Sequence, residues 1–378
     1  MRVALVHECI VGYHGSERVL AALATLYPEA PIFTVLHDEA VLRDTPLEGR
    51  ELKPTFLHNL PGATRRHRWL LPWMPYAVEQ HDLRGFDVVI SSHHAAAHGV
   101  LTRADQLHLA YTHSPARYVW DLYHEHIAPE TWSPVKRRIL HRFRGWDQRA
   151  AQRVDHFFAN SDHVARRIAR AYRRSAEVVH PPVEVGRFAE TPRPFEERER
   201  YVTLGRHVPY KRTHVVVEAF AASGLPLTVV GDGPEHPRLR RLAEARSGVD
   251  IRFVRDADDA SVVSMLRSAK ALVFAGEEDF GITLAEALAA GTPVLAWNRG
   301  GAREIVEQGG MGLLFPESTA DAVNQAVAAL ERDGISGSPD TLAASAAERF
   351  SKDRFVGTLG RRVGELWKHF SEHGPTPV

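Results

Sequence analysis

Short apolar runs alternate with polar or amphipathic segments along the whole chain. In the first half, runs of strand length occupy residues 2–6, 31–36, 87–91, 107–111 and 155–159. In the second half they recur at 201–205, 226–230, 251–254, 271–275 and 294–297. Helical periodicity fills several of the gaps. A helix is predicted from Ser16, a fair N-cap, with Val19, Leu20, Leu23 and Leu26 on its buried stripe. Others are predicted over 282–290 and 319–332, and a last one over 353–370, where Phe355, Leu359, Val363, Leu366 and Phe370 share a face. Strand alternating with helix is the pattern of an α/β protein built on parallel sheets. His180-Pro181-Pro182-Val183 is stiff and extended, and the polar run 190–200 follows it. These segments divide the chain into two halves, each of which begins with a strand.

The most informative stretch runs from Ala271 to Glu304. It reads strand, loop, helix, strand, loop, helix. Gly276 to Gly281 form the first loop, and the helix 282–290 ends at Gly291, with Pro293 blocking its continuation. Asn298, Arg299, Gly300 and Gly301 then open a further helix at Ala302. In open α/β sheets, ligands lie at the carboxyl ends of the strands, and both loops are predicted there. Glycine lets backbone approach a ligand, and N–H groups at a helix start attract phosphate. Glu278 in the loop and Glu286 in the second helical turn are acceptor-only groups, suited to pairs of sugar hydroxyls. On spacing alone, an ordinary βαβ unit with a polar loop fits equally.

Composition narrows the classes. A chain of 378 residues suits two domains. Basic and acidic residues balance at 47 each, so no global field selects nucleic acid. The single cysteine, Cys9, excludes an internal disulfide and a cysteine zinc site, and the 22 histidines form no H-E-x-x-H spacing. His7 and Glu8 interrupt the opening apolar run before a signal-peptide core, and no run approaches spanning length. A cytoplasmic protein is expected, with contact at the inner face of a membrane left open.

The stretch Glu277 to Ala296, EEDFGITLAEALAAGTPVLA, resembles the E-x7-E signature of glycosyltransferase family 4, and its ED-F-G-I form resembles bacterial mannosyltransferases that use GDP-mannose. YTHSPARYVWD (111–121) resembles the family's H-[ST]-P-x-R-Y-x-W-D, ANSDHVARRI (159–168) its N-S-x-x-V-A-x-x-I turn, and the segment around RHVPYKR (206–212) its diphosphate-binding loop. SSHHAAAHG (91–99) also matches, with His98 where relatives often carry lysine. The resemblance implies the GT-B fold: two Rossmann-like domains facing across a cleft, 1–185 for the acceptor and 186–351 for the donor. The terminal segment 352–378 would cross back onto the first domain. It further implies retaining, metal-independent transfer of a sugar, mannose from GDP-mannose, to a hydroxyl of a glycan or lipid-linked acceptor.

Residue by residue, the resemblance assigns Arg206 and Lys211 to the departing diphosphate and Glu286 to the ribose. Glu278 and the amides of Asp279, Phe280 and Gly281, with Ile282 beside them, would hold the donor sugar. Gly231 would allow a tight turn near the nucleotide, and His113 would complete the pocket from the first domain, with His93 a weaker candidate. Gly15-Ser16 stands where the family has two adjacent glycines near the diphosphate. The plainer readings are solvated charges at 206 and 211, a structural histidine at 113, and helix capping by Ser161 or Asp162.

Other classes are an enzyme using a UDP-hexose or another nucleotide sugar, a GT-B epimerase or phosphorylase, and a nucleotide-sugar-binding protein without turnover. Asp256-Ala257-Asp258 spells a metal motif of a different transferase fold, but it precedes a predicted helix and is read as its acidic start. In 136–153 the basic residues Lys136, Arg137, Arg138, Arg142, Arg144, Arg149 and Arg153 are opposed only by Asp147, and Ile139, Phe143, Trp146 and Ala150 fall on one helical face. Peripheral contact with a membrane through Lys136–Arg153 and packing of that face on the domain core are both open readings, and Arg65-Arg66-His67-Arg68 before Trp69 could join the former.

Overall fold

The computed structural model describes residues 1–126, 134–188, 190, 192–307 and 310–374. Thr191 of the expected linker and residues 375–378 of the expected terminal segment lie outside them. The chain divides into one unit of Met1–Pro182 with Phe355–Val378, and a second of Val183–Arg354.

Among the described residues, the first unit is built on seven parallel strands: β1 (Val3–Ile10), β2 (Ile32–His37), β3 (Leu52–Pro54), β4 (Val88–His93), β5 (Leu107–Thr112), β6 (His156–Ala159) and β7 (Glu177–Val178). Their order is β3-β2-β1-β4-β5-β6-β7. β1 is longer than the pattern predicted. His7 and Glu8 look like the start of a loop, yet all eight positions are buried, and the strand pairs with β2 as far as Ile10. A central strand can carry such polar residues only when distant groups satisfy them. β3 and β7 are edge strands of three and two residues, too short to stand out as apolar runs.

The second unit carries six parallel strands: β8 (Arg200–Leu204), β9 (Leu227–Val230), β10 (Ile251–Val254), β11 (Ala269–Phe274), β12 (Val294–Trp297) and β13 (Gly312–Phe315). Their order is β10-β9-β8-β11-β12-β13. The helix Ile282–Ala289 buries Leu284, Ala285 and Leu288 and ends at Gly291, whose φ of 69° only glycine adopts readily. Pro339–Phe350 is a helix that the pattern did not predict; it buries Leu342, Ala346 and Phe350 against the helix Ile282–Ala289.

The terminal helix Lys352–His373 belongs largely to the first unit. Phe355, Leu359, Val363 and Phe370 enter one core with Val19, Leu20 and Leu23 of the helix Gly15–Leu26. Arg362 Nε reaches Glu177 Oε1 at 2.8 Å, which ties this helix to the edge strand β7.

The basic helix Pro134–Ala151 resolves one open reading. Phe143 and Ala150 are buried, and Trp146 is half-buried, with its Nε1 donating to Glu79 Oε1 at 2.9 Å. Trp146 packs so close to Gly99 that a Cβ there would lie 2.2 Å from its ring. The apolar stripe is therefore occupied by core packing and is not free to enter a membrane. Among the described residues, no helix is long and apolar enough to cross one.

Candidate functional site

Both sheets reverse their winding direction beside the first strand of the unit. In the second unit the chain builds β9 and β10 on one side of β8 and then places β11 on the other. The loops after β8 and β11 diverge at this switch point, which is where open α/β sheets bind ligands. They carry Arg206, Lys211 and Gly276–Gly281. Lys211 Nζ is ion-paired with the Glu278 carboxylate, and both side chains are less than one-fifth exposed. Arg206 is exposed.

Glycines make this arrangement possible. A Cβ on Gly276 would lie 2.8 Å from the Lys211 carbonyl oxygen, and one on Gly300 would lie 2.2 Å from that of Glu278. The Gly301 N–H donates to the same Glu278 oxygen at 2.9 Å. Gly300-Gly301 therefore grips the loop as well as opening the next helix. Gly281 (φ 99°) is the N-cap of the helix Ile282–Ala289, with Phe280 buried beneath it. The first N–H groups of that helix have no partner within it. Gly231 (φ 126°) crosses Gly205 so closely that a Cβ would lie 2.1 Å from its carbonyl oxygen.

Glu286 is buried one turn further along the helix. Arg187 Nη1 lies 3.5 Å from its Oε1, and Arg187 Nη2 lies 3.1 Å from Asp259 Oδ1. Asp258 accepts the Ser261 N–H at 2.8 Å and caps the helix Asp259–Arg267, so the Asp-x-Asp string serves a helix start.

In the first unit the reversal falls between β1 and β4. Glu8, near the end of β1, is buried, and its Oε1 takes the N–H groups of His94, Ala95, Ala96 and Ala97 at 3.0, 2.7, 2.7 and 2.9 Å. His94 Nδ1 lies 2.9 Å from Glu8 Oε2, and the His94 side chain is 45% exposed. Burial opposes ionisation of Glu8, but the charge of His94 and hydrogen bonds from His93 and His94 hold the carboxyl well below its usual range. Desolvation lowers His94; the charge and hydrogen bond of Glu8 outweigh it and raise the imidazole to about 9. His113, after β5, is different. Desolvation, then the charges of His94 and His7, push it down to about 3, and its Nε2 sits 2.9 Å from Ser92 Oγ. The cluster thus offers one cationic and one neutral imidazole, their rings 6.5 Å apart.

Gly15 and Ser16 begin the helix Gly15–Leu26, but Ser16 is not its cap; His14 is. Glu17 reaches back to accept the His14 N–H at 3.0 Å, and Ser16 Oγ donates to the same Oε2 at 3.0 Å. Burial opposes the charge on Glu17, yet His7 and the His14 N–H hold its carboxyl at about 2. A carboxylate thus already stands at this helix start, where a phosphate was expected.

His93 is fully buried beside Glu8, its Nδ1 3.3 Å from Glu8 Oε1. It joins a buried network with His98, Asp147 and Tyr172. Its Nδ1 lies 2.9 Å from His98 Nδ1, His98 Nε2 lies 3.4 Å from Asp147 Oδ1, and the Tyr172 hydroxyl donates to Asp147 Oδ1 at 3.1 Å. Desolvation raises the Asp147 carboxyl to about 7, against hydrogen bonds from Trp120 and Tyr172. His93, His98 and Asp147 are close enough to hold an ion. However, both His98 nitrogens are already used, one by His93 and one by Asp147, so the set fits a hydrogen-bonded core better than a metal centre.

The structure thus brings Lys211 and Glu278 together and places Gly281, Ile282 and Glu286 along the helix that starts beside them. It puts His113 next to a residue the sequence reading passed over, His94. The adjacent His93-His94 pair was the available signal. His93 is the last residue of β4 and is buried, whereas His94 opens the loop that follows and is exposed.

A family model described as "Glycosyltransferase Family 4" matches residues 13–187, and one described as "Glycosyl transferases group 1" matches 187–349. D-rhamnosyltransferase WbpZ of Pseudomonas aeruginosa is 26% identical over 225 residues, 57% of this chain and 57% of that protein. GDP-mannose-dependent alpha-(1-6)-phosphatidylinositol monomannoside mannosyltransferase of Mycobacterium tuberculosis is 32% identical over 233 residues, 55% of this chain and 58% of that protein. The chain thus spans little more than half the length of these relatives. The crystal structure of Anabaena Alr3699/HepE in complex with UDP and glucose shares the fold, with a TM-score of 0.68 at 16% identity over 97% of this chain and 100% of that one. Two parallel-sheet, Rossmann-like units and two consecutive family matches place the chain in glycosyltransferase family 4, among proteins of the GT-B fold.

Proposed function

We propose that this chain transfers a glycosyl group, mannosyl from GDP-mannose, to a hydroxyl of a glycan or lipid-linked acceptor, with retention and without a metal. The observation that carries the reading is the second unit's switch point. There the ion-paired Lys211 and Glu278, the exposed Arg206 and the glycine-started helix Ile282–Ala289 converge. Cations and helix-start amides suit a diphosphate, and carboxylates suit hydroxyls. GDP-mannose is supported by the mannosyltransferase relative named for that donor.

In the proposed step the bond from the sugar's anomeric carbon to the diphosphate oxygen breaks. A bond to the acceptor oxygen forms on the same face, and the acceptor's proton passes to the departing diphosphate. Lys211 and Arg206 neutralise the charge growing on that diphosphate. Glu278 and the amides from Asp279 to Ile282 orient the sugar, and Glu286 holds the ribose. His113 is neutral, so it suits a sugar hydroxyl rather than a phosphate. His94 adds a fixed positive charge at the carboxyl end of β4.

The test is a thermal-shift screen of nucleotide sugars followed by product analysis with the best donor, since a ligand that binds only the folded state raises Tm. A Tm increase with GDP-mannose, and a product keeping the donor's anomeric configuration, are expected. Preference for UDP-hexoses would reassign the donor. Release of free sugar phosphate or an epimerised nucleotide sugar would replace transfer by phosphorolysis or epimerisation. Binding without turnover would leave a sensor.

A further inference from the structure

Among the described residues, five of the eight exposed large hydrophobic side chains lie in the segment between β3 and β4. Phe56, Leu60, Trp69, Trp73 and Tyr76 are 45, 44, 83, 60 and 57% exposed. The segment is nevertheless anchored. Leu57, Ala63, Met74, Ala77 and Val78 are buried in the core beneath it, and the Phe56 and Tyr76 rings meet edge to face at 5.7 Å. Short 3-10 turns, Phe56–Asn59 and His67–Trp73, build it, with Pro72 inside the second. The aromatics therefore stand on a fixed backbone.

Charge tells what this surface meets. No acidic residue occurs between Glu51 and Glu79. Arg65, Arg66 and Arg68 are exposed and lie within the same segment, immediately before Trp69. Monomeric proteins rarely leave so much aromatic surface in water. Tryptophan and tyrosine settle at the headgroup level of a bilayer, where an apolar body and a polar tip are both satisfied. Arginines beside them are drawn to anionic headgroups.

We propose that Phe56–Tyr76 is the surface by which this protein docks on an anionic lipid bilayer, with Trp69 and Trp73 in the interface and Arg65, Arg66 and Arg68 on the headgroups. The basic helix Pro134–Ala151, whose apolar stripe is packed in the core, plays no inserting role. Docking does not depend on the proposed transfer reaction, because no donor is needed for it.

The experiment is co-sedimentation with phosphatidylglycerol-containing and pure phosphatidylcholine vesicles at low and high salt. The protein should pellet with the anionic vesicles at low salt and be released as salt screens the surface. The variant R65Q/R66Q/R68Q should bind anionic vesicles roughly 100-fold more weakly, from about 1 kcal/mol per basic residue removed. Trp69→Ser with Trp73→Ser should abolish pelleting and quench the lipid-dependent tryptophan blue shift. Because these side chains are exposed, both variants should keep the wild-type Tm. Wild-type protein left in the supernatant with anionic vesicles at low salt, or full binding by the double tryptophan variant, overturns the proposal. Sedimentation velocity supplies a further arm: a concentration-dependent dimer that the tryptophan variant abolishes would assign the patch to a second copy of the chain and overturn lipid docking.

Discussion

The Glu8 carboxylate and the His94 imidazole form a single charged pair at the carboxyl ends of β1 and β4. One oxygen of Glu8 holds His94 Nδ1 at 2.9 Å while the other takes the N–H groups of four successive residues, 94–97. The pair joins two strands whose residues are 86 apart in sequence. It fixes both the path of the loop after β4 and the charge of its one exposed histidine.

Glu8→Gln tests that pair. It removes a buried charge that backbone donors and histidines satisfy, so a loss of about 3 kcal/mol in urea unfolding is expected. NMR titration should find His94 falling from about 9 towards its ordinary value. The sign follows from linkage: His94 is raised in the folded state, so its contribution is complete below pH 6.5 and is lost as pH climbs through about 9. Wild-type stability should therefore decline across that window, and Glu8→Gln should decline less.

Asp147→Asn tests the buried network. Burial raises the folded carboxyl to about 7, so ionising it costs stability as pH rises from about 4 to 7. Asparagine keeps an acceptor for Trp120, whose Nε1 donates at 2.7 Å, and does not ionise. Relative to the wild type, the variant should gain about 2 kcal/mol on moving from pH 5 to pH 7.5. The same difference at both pH values would mean that Asp147 does not titrate in the folded protein between them.

Lys211→Ala should slow transfer roughly 10²–10³-fold while changing donor affinity little, because the charge on the leaving group grows in the transition state. It also strips Glu278 of its cation, so Tm should be recorded alongside. Unchanged kcat in a folded variant removes Lys211 from the mechanism. Turnover in excess EDTA should match turnover without it; loss restored only by magnesium or manganese would require a metal.

Much of the second unit could be read in advance because its signals are local. The helix at 282–289 follows its glycine start and ends at Gly291 within a few residues, and β12 and the Gly300-Gly301 turn come next in order. The first unit's site was harder to read because its partners are far apart in sequence. Glu8 looks like a loop residue until the N–H groups of 94–97 are seen to satisfy it, and the buried His7 beside it has Glu17 Oε1 3.5 Å from its Nε2. His93 ends β4 and is buried, whereas His94 begins the loop that the distant Glu8 holds and is exposed. The basic helix 134–151 shows an amphipathic pattern that fits a membrane as well as a core, and only the packing of Trp146 on Gly99 decides it. Pro339–Phe350 is hard to read because only Leu342, Ala346 and Phe350 are buried along it, two large apolar residues eight positions apart with an alanine between them.

The most direct test of the donor-site account is isothermal titration of GDP into the wild type and Glu286→Ala. Arg187 keeps Asp259 in the variant, so the fold should survive. Losing a carboxylate that accepts ribose hydroxyls should weaken binding roughly 10- to 100-fold, at about 1.5–3 kcal/mol for hydrogen bonds to a charged group. Saturable GDP binding by the wild type with that loss in the variant is the result expected. No GDP binding, or equal binding by the two proteins, would contradict the placement of the nucleotide at Glu286.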